Sequence, residues 1–140
     1  MSYKIYWKDT GLICEFEKDY TNEDQLNSNQ EIYKDSRLSS IEYGILDFNL
    51  VTSFPINTSV IREIAYMDAK LYKINPTLKL ALVANQTVMK GLINMYKTYA
   101  EIANDDITWD TQCFESLAQA ETWVQIKRVE LKGSESNDNY

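Results

Sequence analysis

The chain has 140 residues, of which 44% are hydrophobic, and its 21 acidic and 14 basic side chains give a net charge of −7. This length is typical of one domain with one core, and the acidic balance excludes the basic surface that binds nucleic acid or anionic membranes. Because the sequence has no histidine and two cysteines, it excludes Ser–His and Cys–His nucleophile pairs, His-ligated zinc and a Cys₄ site. We therefore expect no metal and no cofactor.

Three features predict a cytoplasmic protein. The first eight residues lack the apolar core of a signal peptide, and no apolar run approaches the ~20 residues of a membrane span. Cys14 and Cys113 each lie in an apolar strand pattern, so we expect both thiols to be buried and reduced.

The N-terminal part predicts an antiparallel hairpin and then a helix. Residues 3–7 and 12–17 alternate in polarity and are joined by a turn that ends at Gly11. Thr21 is placed to cap the first helix, which ends near Asp35. The apolar stripe predicted for this helix is thin and consists of Leu26, Ile32 and Tyr33.

The central strand is predicted at residues 43–48, which are mostly apolar on both faces, as in a buried parallel strand. A loop follows, and Asn57, Thr58 or Ser59 can cap a second helix at 58–74, which Asn75 and Pro76 end. Its apolar residues recur at helical spacing: Val60, Ile64, Met67, Leu71 and Ile74.

The C-terminal part repeats the strand–helix alternation. Strands are predicted at 78–84 and 109–114, with a third helix between them that begins near Asn85–Thr87. Its predicted stripe is Val88, Leu92, Tyr96, Tyr99 and Ala103. A fourth helix starts at Glu115 and Ser116, with Leu117, Ala120 and Val124 facing inward beside Trp123.

These elements predict an α/β fold: an N-terminal β-hairpin followed by repeated βα units, with a mostly parallel five-stranded sheet and four helices. We expect a single domain over residues 1–132 and a disordered polar tail over 133–140. If the strands lie in sequence order, the helices all cover one sheet face. The other face would be open and apolar, which favours a homodimer; it carries Tyr43, Ile45, Ala81, Val83 and Phe114.

Three stretches resemble the SpoIIAA-like branch of the STAS (anti-sigma-factor antagonist) superfamily. They are residues 32–37, residues 43–48 with Val51 and Thr52 following, and Asn75-Pro76 before an apolar strand. The likeness runs from Trp7 to Trp123. It implies a sheet with four βα turns, mostly non-enzymatic roles, and binding of partner proteins or small apolar ligands.

Antagonists of the partner-switching type carry an Asp-Ser-Ser-Gly motif at the start of helix two, whose second serine is phosphorylated. Here the corresponding stretch is Pro55-Ile56-Asn57-Thr58, which lacks the aspartate and both serines. We therefore predict that Thr58 and Ser59 are unmodified capping residues.

Polar residues gather at the carboxyl ends of the predicted parallel strands, where ligands of α/β sheets bind. Asp47 there is either a functional carboxylate or an acid that pins the following turn. Its neighbours either bind an anion or serve as ordinary helix caps. These neighbours are Asn49, Thr52, Asn57, Thr58, Ser59, Asn85 and Thr87.

Three further features have two interpretations each. Tyr96 and Tyr99, with Tyr66 and Tyr72 on helix two, either line a cleft for an apolar ligand or pack in the core. Asp68, at the border of the helix-two stripe, either lines a pocket or reaches water. Glu15 and Glu17 either do acid–base chemistry or are solvated charges on an edge hairpin.

The sequence thus favours a non-catalytic STAS-like binding module for protein–protein interaction, self-associating or with a partner. The alternative is a carrier or sensor of a small apolar ligand or lipid, in a pocket between helices two and three and the sheet. A third hypothesis is an enzyme that uses Asp47 or Glu15.

Overall fold

The computed structural model describes residues 2–8, 10–53, 57–104 and 109–125. They form one five-stranded sheet with strand order β1-β2-β3-β4-β5 and four α-helices. The strands are β1 (Tyr3–Lys8), β2 (Gly11–Phe16), β3 (Tyr43–Asp47), β4 (Lys79–Val83) and β5 (Asp110–Phe114). The helices are α1 (Asn22–Lys34), α2 (Thr58–Ile74), α3 (Thr87–Ala103) and α4 (117–125), with a short 3₁₀ helix at Ser36–Ser39.

The predicted α/β class, the hairpin and the mostly parallel sheet are confirmed. β1 pairs antiparallel with β2, and β2 to β5 run parallel in sequence order. The predicted tail at 133–140 lies outside the described residues. No described helix has the length and apolar character needed to cross a membrane.

Side-chain caps mark the starts of α1 and α2. Thr21 forms a capping box with Asp24, and the side chain of Asn57 accepts from the backbone N–H of Val60. Of the three residues predicted to cap α2, Asn57 is therefore the cap, and Thr58 and Ser59 lie exposed in the first turn. These bonds satisfy N–H groups that have no partner within the helix.

Two apolar layers lie on opposite faces of the sheet. Leu46 and Phe48 belong to the layer under α1, α2 and α3, whereas Tyr43 and Ile45 belong to the other layer. This alternation matches the predicted strand faces, because successive side chains of a strand point to opposite sides.

The predicted open sheet face is wrong, because α4 covers it. Ala120 and Val124 pack with Ile45 and Val83, and Ile45 and Val83 are fully buried. Tyr43 and Ala81 are buried in the same layer, and Phe114 packs beside Trp123. The handedness rule governs connections between parallel strands. No strand of the described residues pairs on the outer side of β5, so the rule does not fix the side on which α4 lies. The argument for a dimer through this face therefore loses its premise.

Two predicted helix stripes are also corrected. In α1 the buried residues are polar, namely Gln25, Ser28 and Asn29; Tyr33 is exposed, while Ile32 packs against the core as predicted. In α3 the buried residues are Met89, Ile93 and Ala100, and Val88 is exposed. Leu92 and Tyr96 still pack against the core as predicted.

The helix α2 has the predicted bounds and a slightly rotated buried face. Ile64 and Leu71 are buried as predicted, while Ile74 is exposed. Ile61, Ala65 and Asp68 complete the buried face. The prediction that Asp68 reaches water is therefore wrong.

Both thiols are free, but only one is buried. Cys14 lies in the core on β2, as predicted. Cys113 is exposed, because it lies on β5 at the edge of the sheet.

Candidate functional site

A cavity of about 50 Å³ lies between the sheet and the three helices α1, α2 and α3. Its floor is formed by Leu46, Phe48 and Leu82 near the carboxyl ends of β3 and β4. Leu46 is only partly buried although it lies on the central strand. The remaining lining residues are Tyr20, Gln25, Asn29, Ile61, Ile64, Asp68, Met89, Leu92, Ile93 and Tyr96.

The carboxylate of Asp68 is the polar centre of this cavity. It is 8% exposed and receives hydrogen bonds from two other helices. Asn29 Nδ2 of α1 donates to Oδ1 at 3.1 Å, and the Tyr96 hydroxyl of α3 donates to Oδ2 at 2.5 Å. One residue from each of the three helices thus meets at a single buried carboxylate.

The environment perturbs both ionisable groups of this cluster. Burial raises the pKa of Asp68 to about 6, although the hydrogen bonds from Tyr96 and Asn29 act in the opposite direction. Burial and the nearby carboxylate raise the pKa of Tyr96 well above its ordinary value. Perturbed groups of this kind in a cavity are typical of functional sites, although ion-pair networks produce them too.

The polar wall on the α1 side is held by local contacts. The hydroxyl of Tyr20 donates to Gln25 Oε1 at 2.5 Å, and Ser28 Oγ donates to the carbonyl of Gln25. Gln25, Ser28 and Asn29 follow the i, i+3, i+4 spacing of one helix face. Buried polar groups are normally hydrogen-bonded, and this face presents them toward the cavity.

A second cavity of about 40 Å³ lies beside the first and shares the walls Asn29, Leu46 and Asp68 with it. The rest of its lining is almost wholly apolar and includes Leu71, Leu80 and Trp109. The Asp68 cluster therefore separates two small apolar spaces above the sheet.

Several residues of the predicted polar rim at the carboxyl ends of the strands make hydrogen bonds within the loops. Asp47 Oδ1 accepts from the backbone N–H of Asn49 at 3.0 Å, so it pins the turn. The side chain of Asn49 donates to the carbonyl of Glu115 and accepts from the backbone N–H of Asn85. These residues tie three loops together, which is the structural alternative given above for Asp47.

The other rim residues do not meet at one point. Thr52 donates to the carbonyl of Lys18, and Asn57 caps α2. Thr58 and Ser59 are exposed in the first turn of α2. Whether any rim residue binds a ligand or partner stays a prediction.

The predicted aromatic cleft is present only in part. Tyr96 lines the cavity, and Tyr72 packs against the core and lines a narrower space of about 10 Å³ with Asp68 and Lys97. Tyr66 is exposed and Tyr99 is half-buried. Of the four tyrosines, Tyr96 alone lines the main cavity among the described residues.

The two carboxylates of the enzyme hypothesis are neighbours. Glu15 and Asp47 are register partners on the parallel strands β2 and β3, and strand alternation places them on the same face. They lie on the face opposite to the main cavity, and Asp47 is engaged by the Asn49 turn.

Within the described ranges, no group of three or more Cys, Asp or Glu side chains is arranged to hold a metal ion. Comparisons with protein-family models, with curated proteins and with solved structures find no match to this chain.

Proposed function

We propose that this chain is a non-catalytic, STAS-like binding domain that holds a small, mostly apolar ligand in the cavity above β3 and β4. The observation that carries the proposal is the Asp68 cluster, a buried carboxylate held by Asn29 and Tyr96 inside an apolar cavity. Binding sites are typically apolar clefts with a few polar groups that fix the orientation of the ligand.

The βα order of the chain supports the STAS-like assignment. The resemblance implies a sheet with four βα turns, and each of β2, β3, β4 and β5 is followed by a helix. The resemblance also implies binding of partner proteins or of small apolar ligands.

The ligand alternative has more support than the protein-interaction hypothesis. Self-association through an open apolar sheet face loses its support, because α4 covers that face. The cavity, by contrast, lies where the carrier hypothesis expects it, between α2, α3 and the sheet. A partner protein and a homodimer stay predictions from the sequence.

The volume of the cavity limits the size of the ligand that it can bind in this conformation. A volume of about 50 Å³ exceeds that of one water, yet it is well below the ~150 Å³ of an engineered cavity that binds benzene. A larger ligand therefore requires movement of lining side chains. Met89 is the most adaptable of these, because its unbranched thioether has three rotatable bonds.

The geometry favours binding over catalysis. The hydroxyl of Tyr96 is committed to Asp68, and that of Tyr20 is committed to Gln25. Among the described lining residues neither phenol is left to polarise a substrate. The polar groups hold one another in place, which suits recognition of a head group.

Native mass spectrometry of protein purified from cells tests the proposal. We expect a retained small molecule on the wild-type chain and its loss in Ile93→Phe, which fills the cavity from α3. The matched control is Ile102→Phe on the same helix, where the side chain is 62% exposed, and it should retain the molecule.

Two results would contradict the proposal. One is a wild-type chain that carries no small molecule, and the other is an Ile93→Phe variant that retains the molecule found on the wild type. Circular dichroism of both variants shows that each is folded before binding is compared.

A further inference from the structure

The formal charge on the described lining of the cavity is negative only. Asp68 carries the only carboxyl group among its described lining residues, and no described lysine or arginine lines it. The same holds for the neighbouring cavity of about 40 Å³. A buried carboxylate without a cationic partner is unfavourable, because hydrogen bonds replace only part of its lost hydration.

The carboxylate also retains capacity to accept. An ionised carboxylate offers about four lone-pair positions, and Asn29 and Tyr96 occupy one on each oxygen. Both partners are neutral, so neither compensates the charge. Among the described residues, the cluster is thus a fixed acceptor whose two hydrogen-bond partners are both neutral.

We propose that the ligand is an apolar amine, whose ammonium group pairs with Asp68 while its hydrocarbon part lies over Leu46, Leu82 and Ile93. This inference rests on the function proposed above and names the chemical class of its ligand. It implies that the site rejects fatty acids and other carboxylates, since two buried like charges repel.

Other charged and titratable groups near Asp68 are compatible with this selection. Tyr96 on α3 is a neutral donor, and burial keeps the pKa of Tyr20 across the cavity above its ordinary value. Lys97 lines the narrower space beside Asp68, Tyr96 and Trp109 and does not line the main cavity. The net charge of −7 further favours approach of a cation over that of an anion.

Three probes with six-carbon skeletons and different head groups test the proposal: hexylamine, hexanol and hexanoate. Each is titrated into ¹⁵N-labelled wild-type chain near pH 7.5 and about 150 mM salt, where long-range attraction between exposed charges is screened. We expect shifted amide signals at Leu46, Asp68 and Tyr96 with hexylamine. Its Kd should be at least about tenfold lower than that of hexanoate, the margin of a single charge-assisted contact.

The variant Asp68→Asn keeps the size of the side chain and removes its charge. It should weaken hexylamine binding by about tenfold and leave hexanol binding within about threefold. Glu63→Gln, on an exposed position of the same helix, is the matched control and should leave hexylamine binding unchanged. Because the comparison of the three probes needs only the wild-type chain, it decides the matter even if Asp68→Asn does not fold.

The outcomes separate this inference from the proposed function. Hexanoate or hexanol binding in the cavity as tightly as hexylamine overturns the amine selection while the proposed function stands. Hexylamine binding that survives Asp68→Asn, or that falls equally in Glu63→Gln, also overturns it. If none of the three probes shifts the cavity signals, the proposed function and this inference both fail.

Discussion

The hydroxyl of Tyr96 donates a hydrogen bond of 2.5 Å to the carboxylate of Asp68 and so joins α3 to α2 inside the helix layer. The two residues are 28 positions apart, and both line the main cavity. This bond links the stability of the helix layer to the state of the candidate site, so a change at either residue should affect both.

Replacing Tyr96 with Phe removes the donor and leaves Asp68 with Asn29 alone. Hydrogen bonds to charged groups contribute about 1.5–3 kcal/mol, so the variant should lose that much free energy of unfolding near pH 7.5. The loss should be smaller near pH 5, where Asp68 is mostly protonated and the bond is neutral. Urea denaturation at both pH values measures it.

Tyr66→Phe is the control for this variant, because Tyr66 on α2 is exposed and its change should stay within about 0.5 kcal/mol. An equal loss in Tyr96→Phe at both pH values would show that the charge of Asp68 does not strengthen the bond.

The raised pKa of Asp68 predicts a pH-dependent stability of known sign. The folded chain holds the proton up to about pH 6, whereas the unfolded chain releases it near pH 4. Between these values the folded state binds more protons, so stability falls as pH rises. At about 1.4 kcal/mol per pKa unit, wild type should lose roughly 2–3 kcal/mol relative to Asp68→Asn across this window.

The difference in stability between wild type and Asp68→Asn isolates the contribution of Asp68 from that of other carboxylates. Asp35 is one of these, and hydrogen bonds with Arg37 lower its pKa to about 2. Glu63→Gln, at an exposed position, should follow wild type across the window. A wild-type curve parallel to that of Asp68→Asn would mean that Asp68 titrates normally.

The order and most bounds of the elements follow from the sequence, because periodicity and caps are local signals. The helix α2 is observed at the predicted 58–74, and strand alternation assigns both faces of β3 correctly. The side on which α4 packs does not follow, because no described strand continues the sheet past β5. Burial of Ile45 and Val83 against α4 settles it.

The candidate site is harder to predict from the sequence, because the buried residues of α1 that form it are polar, whereas hydrophobic periodicity identifies buried faces by their apolar residues. The fully buried residues of α1 are Gln25, Ser28 and Asn29, and only Ile32 of the predicted apolar stripe packs against the core beside them. Asn29 and Asp68 are 39 residues apart, and only the fold brings them together. Two sequence features could have identified the site. Uncharged polar residues recur at helical spacing in α1, and Asp68 lies at the border of the apolar stripe of α2.

The packing of α4 predicts a strong contrast between two alanines on that helix. Ala120 is fully buried against the sheet, whereas Ala118 is exposed. Ala120→Glu buries a charge without a partner and should destabilise the fold by about 3–5 kcal/mol. Ala118→Glu should stay within about 0.5 kcal/mol of wild type. Thermal unfolding of the two variants measures the contrast, and equal melting temperatures would mean that α4 does not cover this face.

The two thiols should react very differently. Burial raises the pKa of Cys14 to about 12, so almost none of it is thiolate at neutral pH. Cys113 is exposed on the edge strand β5, where desolvation raises its pKa and the charges of Lys97 and Lys90 act in the opposite direction. A thiol reagent should modify Cys113 alone in the native chain and both residues in urea. Labelling of Cys14 in the native Cys113→Ser variant would show that the β2 core opens readily.

Asn49 should contribute to stability as the residue that ties three loops at the carboxyl edge of the sheet. Its side chain bonds the carbonyl of Glu115 at 2.9 Å and the backbone N–H of Asn85 at 2.8 Å. Asn49→Ala removes both bonds, which should lower the free energy of unfolding by about 1–3 kcal/mol. Asn94→Ala on the exposed face of α3 is the matched control and should change it by less than about 0.5 kcal/mol. Hexylamine binding in the main cavity should be unchanged in Asn49→Ala, because Asn49 does not line this cavity. Chemical denaturation and a hexylamine titration of the same samples separate a role in stability from a role in ligand binding. An Asn49→Ala variant that is as stable as wild type but does not bind hexylamine would show that Asn49 belongs to the ligand site.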